Sequence, residues 1–214
     1  MKPKLIIWDF NGTILDDADL CFEIENEMLA ERGMPKITKE WYLDHFSFPI
    51  RTYYERMGYT FETESYEHVS EIFTERYNRR YENCRLRDGV LDVLSAVRDA
   101  GILQTLLSVT RQDDLVRQAT GLGAAPYFSE MLGLSDRMGI SKVERAKEYM
   151  ERMQIDPKDA LFVGDTDHDA EAAKAVGCPC MLLLGGHQSK RILERCGLPI
   201  FDSAQSLKEA LCLR

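Results

Sequence analysis

Lys4–Asp17, KLIIWDFNGTILDD, joins a buried-strand pattern to an acidic turn with almost no spacer, and the rest of the chain is organised around it. Leu5, Ile6, Ile7 and Trp8 form a continuous apolar run, the pattern of a strand covered on both faces in a parallel sheet. Asp9 then falls at the strand's carboxyl end, the edge at which open α/β sheets bind ligands. Asn11-Gly12 beside it supplies a tight turn with backbone N–H groups that suit a phosphate. The same letters also fit a strand that simply ends in a D-x-N-G turn, so this segment alone leaves both readings open.

Beyond Asp17 the pattern becomes helical. Leu20, Ile24, Met28 and Leu29 recur at helical spacing over Ala18–Arg32, and Gly33 and Pro35 end the run. From Thr38 to Tyr81 apolar and aromatic residues again recur at three and four, broken near Pro49, Gly58 and Thr60, with no strand alternation. Aromatics on such helices, Trp41, Tyr42, Phe46 and Tyr53 among them, belong to a core more often than to a ligand site. From Asp88 the punctuation is βα. Helices are predicted over Val90–Ala100, Asp113–Thr120, Lys142–Met153 and Asp167–Val176 and from Ser206. Strands are predicted over Ile102–Val109, Met131–Leu134, Ala160–Val163, Cys180–Leu184 and Pro199–Phe201. The expected fold is α/β: a Rossmann-like parallel sheet core from residues 1–15 and 89–214, with residues 16–88 inserted as an all-helical cap.

A chain of 214 residues buries one sizeable core with room for a smaller second unit. The formal net charge of -9 argues against nucleic acid or an anionic membrane as partner, since either requires a basic patch. No stretch approaches the length of a membrane span, and MKPK runs straight into the first strand without a signal-peptide pattern, so a cytoplasmic location is expected. The six cysteines are read as reduced thiols, and Cys178-Pro179-Cys180 as packing, because its spacing is not that of a redox or zinc motif. Oligomeric state is not set by the sequence.

A parallel sheet brings its carboxyl ends to one edge whatever their separation in sequence. Ser108 ends the second apolar run, Lys142 opens a helix after Gly139-Ile140-Ser141, and Phe162–Asp169 ends another strand in a cluster of acids. Asp165 at that strand's end and Asp169 in the first helical turn behind it can both converge on Asp9, and three such acids suit magnesium, a hard cation with oxygen ligands. Taken singly, Ser108 fits a helix cap and Lys142 a solvated lysine.

With DFNGT at Asp9–Thr13, Ser108, Lys142 and GDTDHD at Gly164–Asp169 in this order, the whole chain resembles the haloacid dehalogenase-like hydrolase superfamily, in particular its phosphoglycolate phosphatase-like subgroup with an inserted helical cap. The resemblance implies a Mg²⁺-dependent phosphatase, a phosphoric monoester hydrolase acting on a small phosphorylated metabolite, with phosphoglycolate the family-level substrate. Asp9 would be the nucleophile that forms an aspartyl-phosphate. Asp9, the main-chain carbonyl of Asn11, Asp165 and Asp169 would hold the metal. Ser108, Lys142, Val109, Thr13 and the backbone N–H groups of Phe10 to Gly12 would bind the phosphoryl group, with Arg137 as fallback for Lys142.

At one position the chain departs from that family. Its phosphatases carry an acid-base aspartate two residues after the nucleophile, where this chain has Asn11, an amide that cannot exchange protons at neutral pH. A metal ligand taken from the main chain survives that change. A missing general acid-base removes roughly two to four powers of ten in rate. His168 between Asp167 and Asp169 is a candidate substitute, with His187 and His45 behind it. Two alternatives follow: a phospho-ligand binding protein with little turnover, and a phosphonate hydrolase, which needs a cap lysine where only Lys36 and Lys39 are available. A phosphomutase needs the absent acid.

Overall fold

The computed structural model describes residues 2–134 and 141–212; Arg137 lies outside the described residues. β1 (Leu5–Trp8) and a two-residue strand β2 (Leu15–Asp16) are followed by α1 (Ala18–Glu31), α2 (Lys39–His45), α3 (Ile50–Met57) and α4 (Tyr66–Arg80). The chain re-enters through β3 (Arg85–Leu86) and continues as α5 (Val90–Asp99), β4 (Leu103–Arg111), α6 (Gln112–Gly121) and β5 (Glu130–Leu134). Then come α7 (Lys142–Arg152), β6 (Ala160–Gly164), α8 (Asp167–Val176), β7 (Cys180–Leu183), α9 (Lys190–Glu194), β8 (Ile200–Phe201) and α10 (Ala204–Ala210).

Six strands form one parallel sheet in the order β5-β4-β1-β6-β7-β8. β1 is therefore the switch point, with β4 on one side and β6 on the other, and the crevice past its carboxyl end is where such sheets bind ligands. Trp8 pairs with both Leu106 and Val163, which brings Asp9, Ser108 and Asp165 to one level. The unbroken apolar run of β1 has its cause here. Ile6 and Trp8 enter one buried cluster, Leu5 and Ile7 the other, and all four are fully buried. The first cluster continues into the helical segment through Ile24, Met28, Tyr42, Tyr53, Val69 and Tyr77, so α1–α4 are packed on the apolar surface that covers one face of the sheet. Cys178 and Cys180 are buried in the second cluster.

Two features differ from the sequence reading. β2 and β3 pair antiparallel where the chain leaves for α1 and returns from α4, and at two residues each they are too short to show a period. β4 runs to Arg111, three residues past Ser108, and its register with β5 shifts between Leu107 and Arg111, so Ser108 lies where the ladder breaks rather than where the strand stops. Among the described residues, no helix is long and apolar enough to cross a membrane.

Candidate active site

Local rules place each charged group. Ser141 caps α7, its hydroxyl accepting from Glu144 N while the Glu144 carboxylate accepts from Ser141 N, and this box fixes Lys142 as the first helical residue. Thr166 and Asp169 form the matching box on α8: Asp169 Oδ2 accepts from the Thr166 hydroxyl at 2.7 Å and Thr166 N at 3.1 Å. Asp169 Oδ1 is left to accept from Lys142 Nζ at 2.6 Å, and Lys142 Nζ also donates to Asp9 Oδ1 at 2.5 Å. Asp165 is wrapped on the other side. Its Oδ1 accepts from Thr13 Oγ1 at 2.8 Å and its Oδ2 from His187 N at 2.7 Å. Gly12, at φ +74°, passes so close that a Cβ there would stand 2.3 Å from Asp165 Oδ2.

Carboxylate oxygens of Asp9, Asp165 and Asp169 lie within 4.8 Å of one another, all three residues buried. Lys142, only 5% exposed, is the cation among them. Burial works against its charge, but Asp169 and Asp9 outweigh burial and hold its pKa above the ordinary value. Burial pushes Asp9 well up; Lys142 opposes the shift, and Asp169 and Asp165 add to it. Asp165 is pushed up to about 6, by burial first. Three buried carboxylates against one ammonium leave a surplus of negative charge, which fits a divalent cation bound through oxygen.

A second buried cluster lies on the other side of the turn. Asp17 Oδ1 accepts from Gly12 N at 2.8 Å, and its Oδ2 accepts from Asn11 Nδ2 at 2.8 Å and Tyr77 OH at 2.7 Å. His187 Nε2 is 3.3 Å from Asp17 Oδ1, and its Nδ1 is 2.6 Å from Tyr42 OH. Burial opposes the imidazolium, yet Asp17 lifts the His187 pKa to about 9, while His187 brings Asp17 below the usual carboxylate range against its own desolvation. Here the charges balance. At its other end Asn11 accepts, through Oδ1, from Thr110 Oγ1 at 2.8 Å and Ser108 Oγ at 3.3 Å. Its amide is thus fixed from both sides, its N–H toward Asp17 and its oxygen toward β4.

Above Asp9 and Lys142 opens a cavity of about 570 Å³ that the helical segment roofs. Phe46, Phe48, Tyr54, Tyr66, Phe73 and Tyr77 form much of its wall, with Val109, Thr110 and Arg111 from the end of β4 and His168 from α8. His168 is stacked on Phe48, ring centroids 4.3 Å apart, and burial lowers its pKa. His45 is stacked on Trp41 away from the acids. Neither Lys36 nor Lys39 is among the lining residues; Lys39 sits over the Phe22 and Tyr42 rings. The phosphonate-hydrolase reading therefore has no cap lysine where it needs one.

The structure brings Asp9, Lys142, Asp165 and Asp169 together and places Ser108, Val109 and Asn11 beside them. Ser108 does not cap a helix, because Arg111 precedes α6; its hydroxyl accepts from Thr110 N and its carbonyl accepts from Arg145 Nη1 at 2.9 Å. Two groups expected at the phosphoryl group are engaged elsewhere: Gly12 N–H is given to Leu15 O and Asp17, and the Thr13 hydroxyl orients Asp165. The sequence pattern does not single out Asp17, Tyr77 or Arg87, and it places His187 behind His168. Arg87 donates from Nη1 to Gly12 O at 2.6 Å and from Nη2 to Leu184 O, tying the turn after β1 to the loop after β7. A signal for His187 did exist: Gly185-Gly186-His187 follows a strand end on the same sheet edge as Asp9.

A family model described as haloacid dehalogenase-like hydrolase matches residues 6–183. Among curated proteins, a phosphoglycolate phosphatase of Pseudomonas savastanoi is 26% identical over 217 residues, which cover 96% of this chain and 78% of its own. An N-acetylmuramic acid 6-phosphate phosphatase of Pseudomonas aeruginosa is 26% identical over 186 residues, 83% of this chain and 80% of its own. A solved structure described as a predicted phosphatase from Clostridium acetobutylicum superposes with a TM-score of 0.83 over 99% of both chains at 19% identity, a likeness of fold.

Proposed function

The chain belongs to the haloacid dehalogenase-like hydrolase family, and from that membership we propose that it is a Mg²⁺-dependent phosphatase cleaving a small phosphate monoester through an aspartyl-phosphate on Asp9. The observation that carries this reading is the convergence of Asp9, Asp165 and Asp169 around the single lysine Lys142 at the sheet's switch point. Asp9 Oδ attacks phosphorus, the bond from phosphorus to the leaving oxygen breaks, and water then hydrolyses the acyl phosphate to restore Asp9. Lys142 orients Asp9 and, with Ser108, meets charge on the phosphoryl oxygens. Asp9, the Asn11 carbonyl, Asp165 and Asp169 would hold Mg²⁺, which when bound neutralises phosphoryl charge. Residues 16–88 act as the cap, their aromatics closing the cavity over the reacting centre. Of the two curated relatives named, one is a phosphoglycolate phosphatase and the other an N-acetylmuramic acid 6-phosphate phosphatase, and phosphoglycolate is the family-level candidate substrate.

One observation favours a second reading. Asn11 is an amide locked by Asp17, Tyr77, Thr110 and Ser108, so the position that supplies acid-base chemistry in the family cannot move a proton here. That suits a phospho-ligand binding protein with slow turnover. Phosphate release from p-nitrophenyl phosphate, with Mg²⁺ and after its removal by EDTA, separates the two. Mg²⁺-dependent release that disappears in Asp9→Ala is expected. Tight phosphonate binding with no release would select the binding protein.

A further inference from the structure

The cavity over Asp9 carries chemistry that a small anionic ester does not use. At about 570 Å³ it is the size of sites that enclose drug-sized ligands, and a two-carbon ester would leave most of the aromatic wall facing water. Among the described lining residues two cations are already engaged: Lys142 lies between Asp9 and Asp169, and His187 is paired with Asp17. Asp114 is paired with Arg117, which leaves Arg111, exposed at the end of β4, without an ion pair among the described residues. A carboxylate on the leaving group could therefore meet Arg111 at the exposed end of the wall, whereas the aromatic part of the wall holds no cation among the described residues.

Gln118, fully buried and lining the same cavity, points to what the wall does accept. Asp114 accepts from Asn78 Nδ2 at 3.2 Å and Arg117 donates to Asn78 Oδ1 at 3.1 Å, which fixes the orientation of the Asn78 amide. Asn78 Oδ1 then accepts from Gln118 Nε2 at 3.1 Å, which fixes the second amide in turn. Gln118 Oε1 is left without a donor among the described residues, as is the buried Ser70 Oγ on the same wall. A buried acceptor that has lost water and gained nothing is costly, and a donor on a bound molecule would meet it.

Resting on the phosphatase reading above, we propose that the substrate is the phosphate monoester of a ring-bearing alcohol with a hydrogen-bond donor, its ring on the aromatic wall and its donor at Gln118. Benzyl phosphate, ethyl phosphate and phosphoglycolate are all alkyl esters with similar leaving oxygens, so their kcat/KM values with Mg²⁺ compare wall contacts rather than chemistry. Benzyl phosphate is expected to exceed each of the others by about tenfold or more, the gain from burying an aromatic ring. Phosphoglycolate equal to or better than benzyl phosphate would overturn the proposal.

Phe73→Ala is expected to lower the benzyl-to-ethyl ratio by about tenfold; an unchanged ratio overturns the placement of the ring. Among the monophosphates of the benzenedimethanol isomers, at least one is expected to exceed benzyl phosphate, with that gain lost in Gln118→Leu. No gain in any isomer, or a gain that survives the substitution, overturns the role of Gln118. If no ester is cleaved, calorimetry with benzylphosphonate and 3-phosphonopropionate decides. Tighter binding of the former by about tenfold keeps this class as the ligand and overturns only the hydrolytic reading. Equal or reversed affinities overturn the proposal.

Discussion

Two buried ionic clusters meet at the end of β1, and they differ in charge balance. Asp9 and Asp169 share Lys142, and Asp165 accepts from Thr13 Oγ1 and His187 N with no ion pair of its own, whereas Asp17 has His187 as counter-charge and Asn11, Tyr77 and Gly12 N as hydrogen-bond donors. The balanced cluster is a lock: it ties the turn after β1 to α4, to the loop after β7 and, through Tyr42, to α2. In the unbalanced one, the repulsion between carboxylates fits a site that a bound cation would complete. On the proposed function, equal burial serves stability in one cluster and ligand affinity in the other.

The largest expected effect breaks the unbalanced side. Asp9→Ala is expected to lower steady-state phosphate release by about four powers of ten, since the proposed nucleophile is lost. In EDTA the same variant should melt no lower than wild type, because it relieves carboxylate repulsion and leaves Lys142 paired with Asp169. A clear loss of stability would mean that the cluster was balanced after all. The opposite signature is expected for Asp17→Ala, which strands a buried imidazolium and should cost about 3–5 kcal/mol in urea unfolding.

Metal addition tests the same contrast from outside. Saturating Mg²⁺, about a hundredfold above its Kd, should stabilise the protein by about 2.7 kcal/mol. The shift should be strongly reduced in Asp165→Asn, and an equal shift in that variant would remove Asp165 from the ligand set.

pH sharpens the balanced side. The pKa of His187 is raised from 6.5 to about 9 in the fold and that of Glu25 from 4.5 to about 8, so folding takes up protons at both. Each contribution is complete below the unfolded-state value and is lost as pH rises through the folded one. Stability in EDTA should therefore fall from neutral pH to about 9, and Glu25→Gln should flatten the part of that fall below about 8, leaving the His187 part. A melting temperature independent of pH over this range would show that neither shift exists.

Asn11→Asp is the smallest and most discriminating change. From the sequence alone it restores an acid-base group and should raise turnover of alkyl esters. In the structure the Asn11 N–H faces Asp17 Oδ2 at 2.8 Å, so a carboxylate there meets a carboxylate. A cost of about 1–2 kcal/mol in thermal unfolding is expected, with the new acid held protonated beside Asp17. Unchanged stability in Asn11→Asp would show that the amide is not oriented by Asp17.

The legible parts were those governed by local rules. The β1 run, the Asp167–Val176 helix, the strand-end positions of Asp9 and Asp165 and the S-x-x-E box at Lys142 follow from period, capping and the parallel-sheet edge. Ser108 was placed correctly beside Asp9 but for an incomplete reason, since the strand continues past it across a register shift. Gly12 and Thr13 misled because adjacency to the nucleophile says nothing of what a backbone N–H or a hydroxyl finds across the turn.

The sequence by itself determined the sheet, the helical insertion and the acids that line the switch point, because periodicity and strand-end position depend on neighbours a few residues apart. Only the tertiary structure decided that Asp17 rather than solvent holds Asn11, that His187 rather than His168 is the charged histidine, and that Gln118 keeps an unmet acceptor in an aromatic cavity. These depend on groups up to 170 residues apart, as Asp17 and His187 are, and on burial that turns weak pairings into strong ones. No local pattern encodes either.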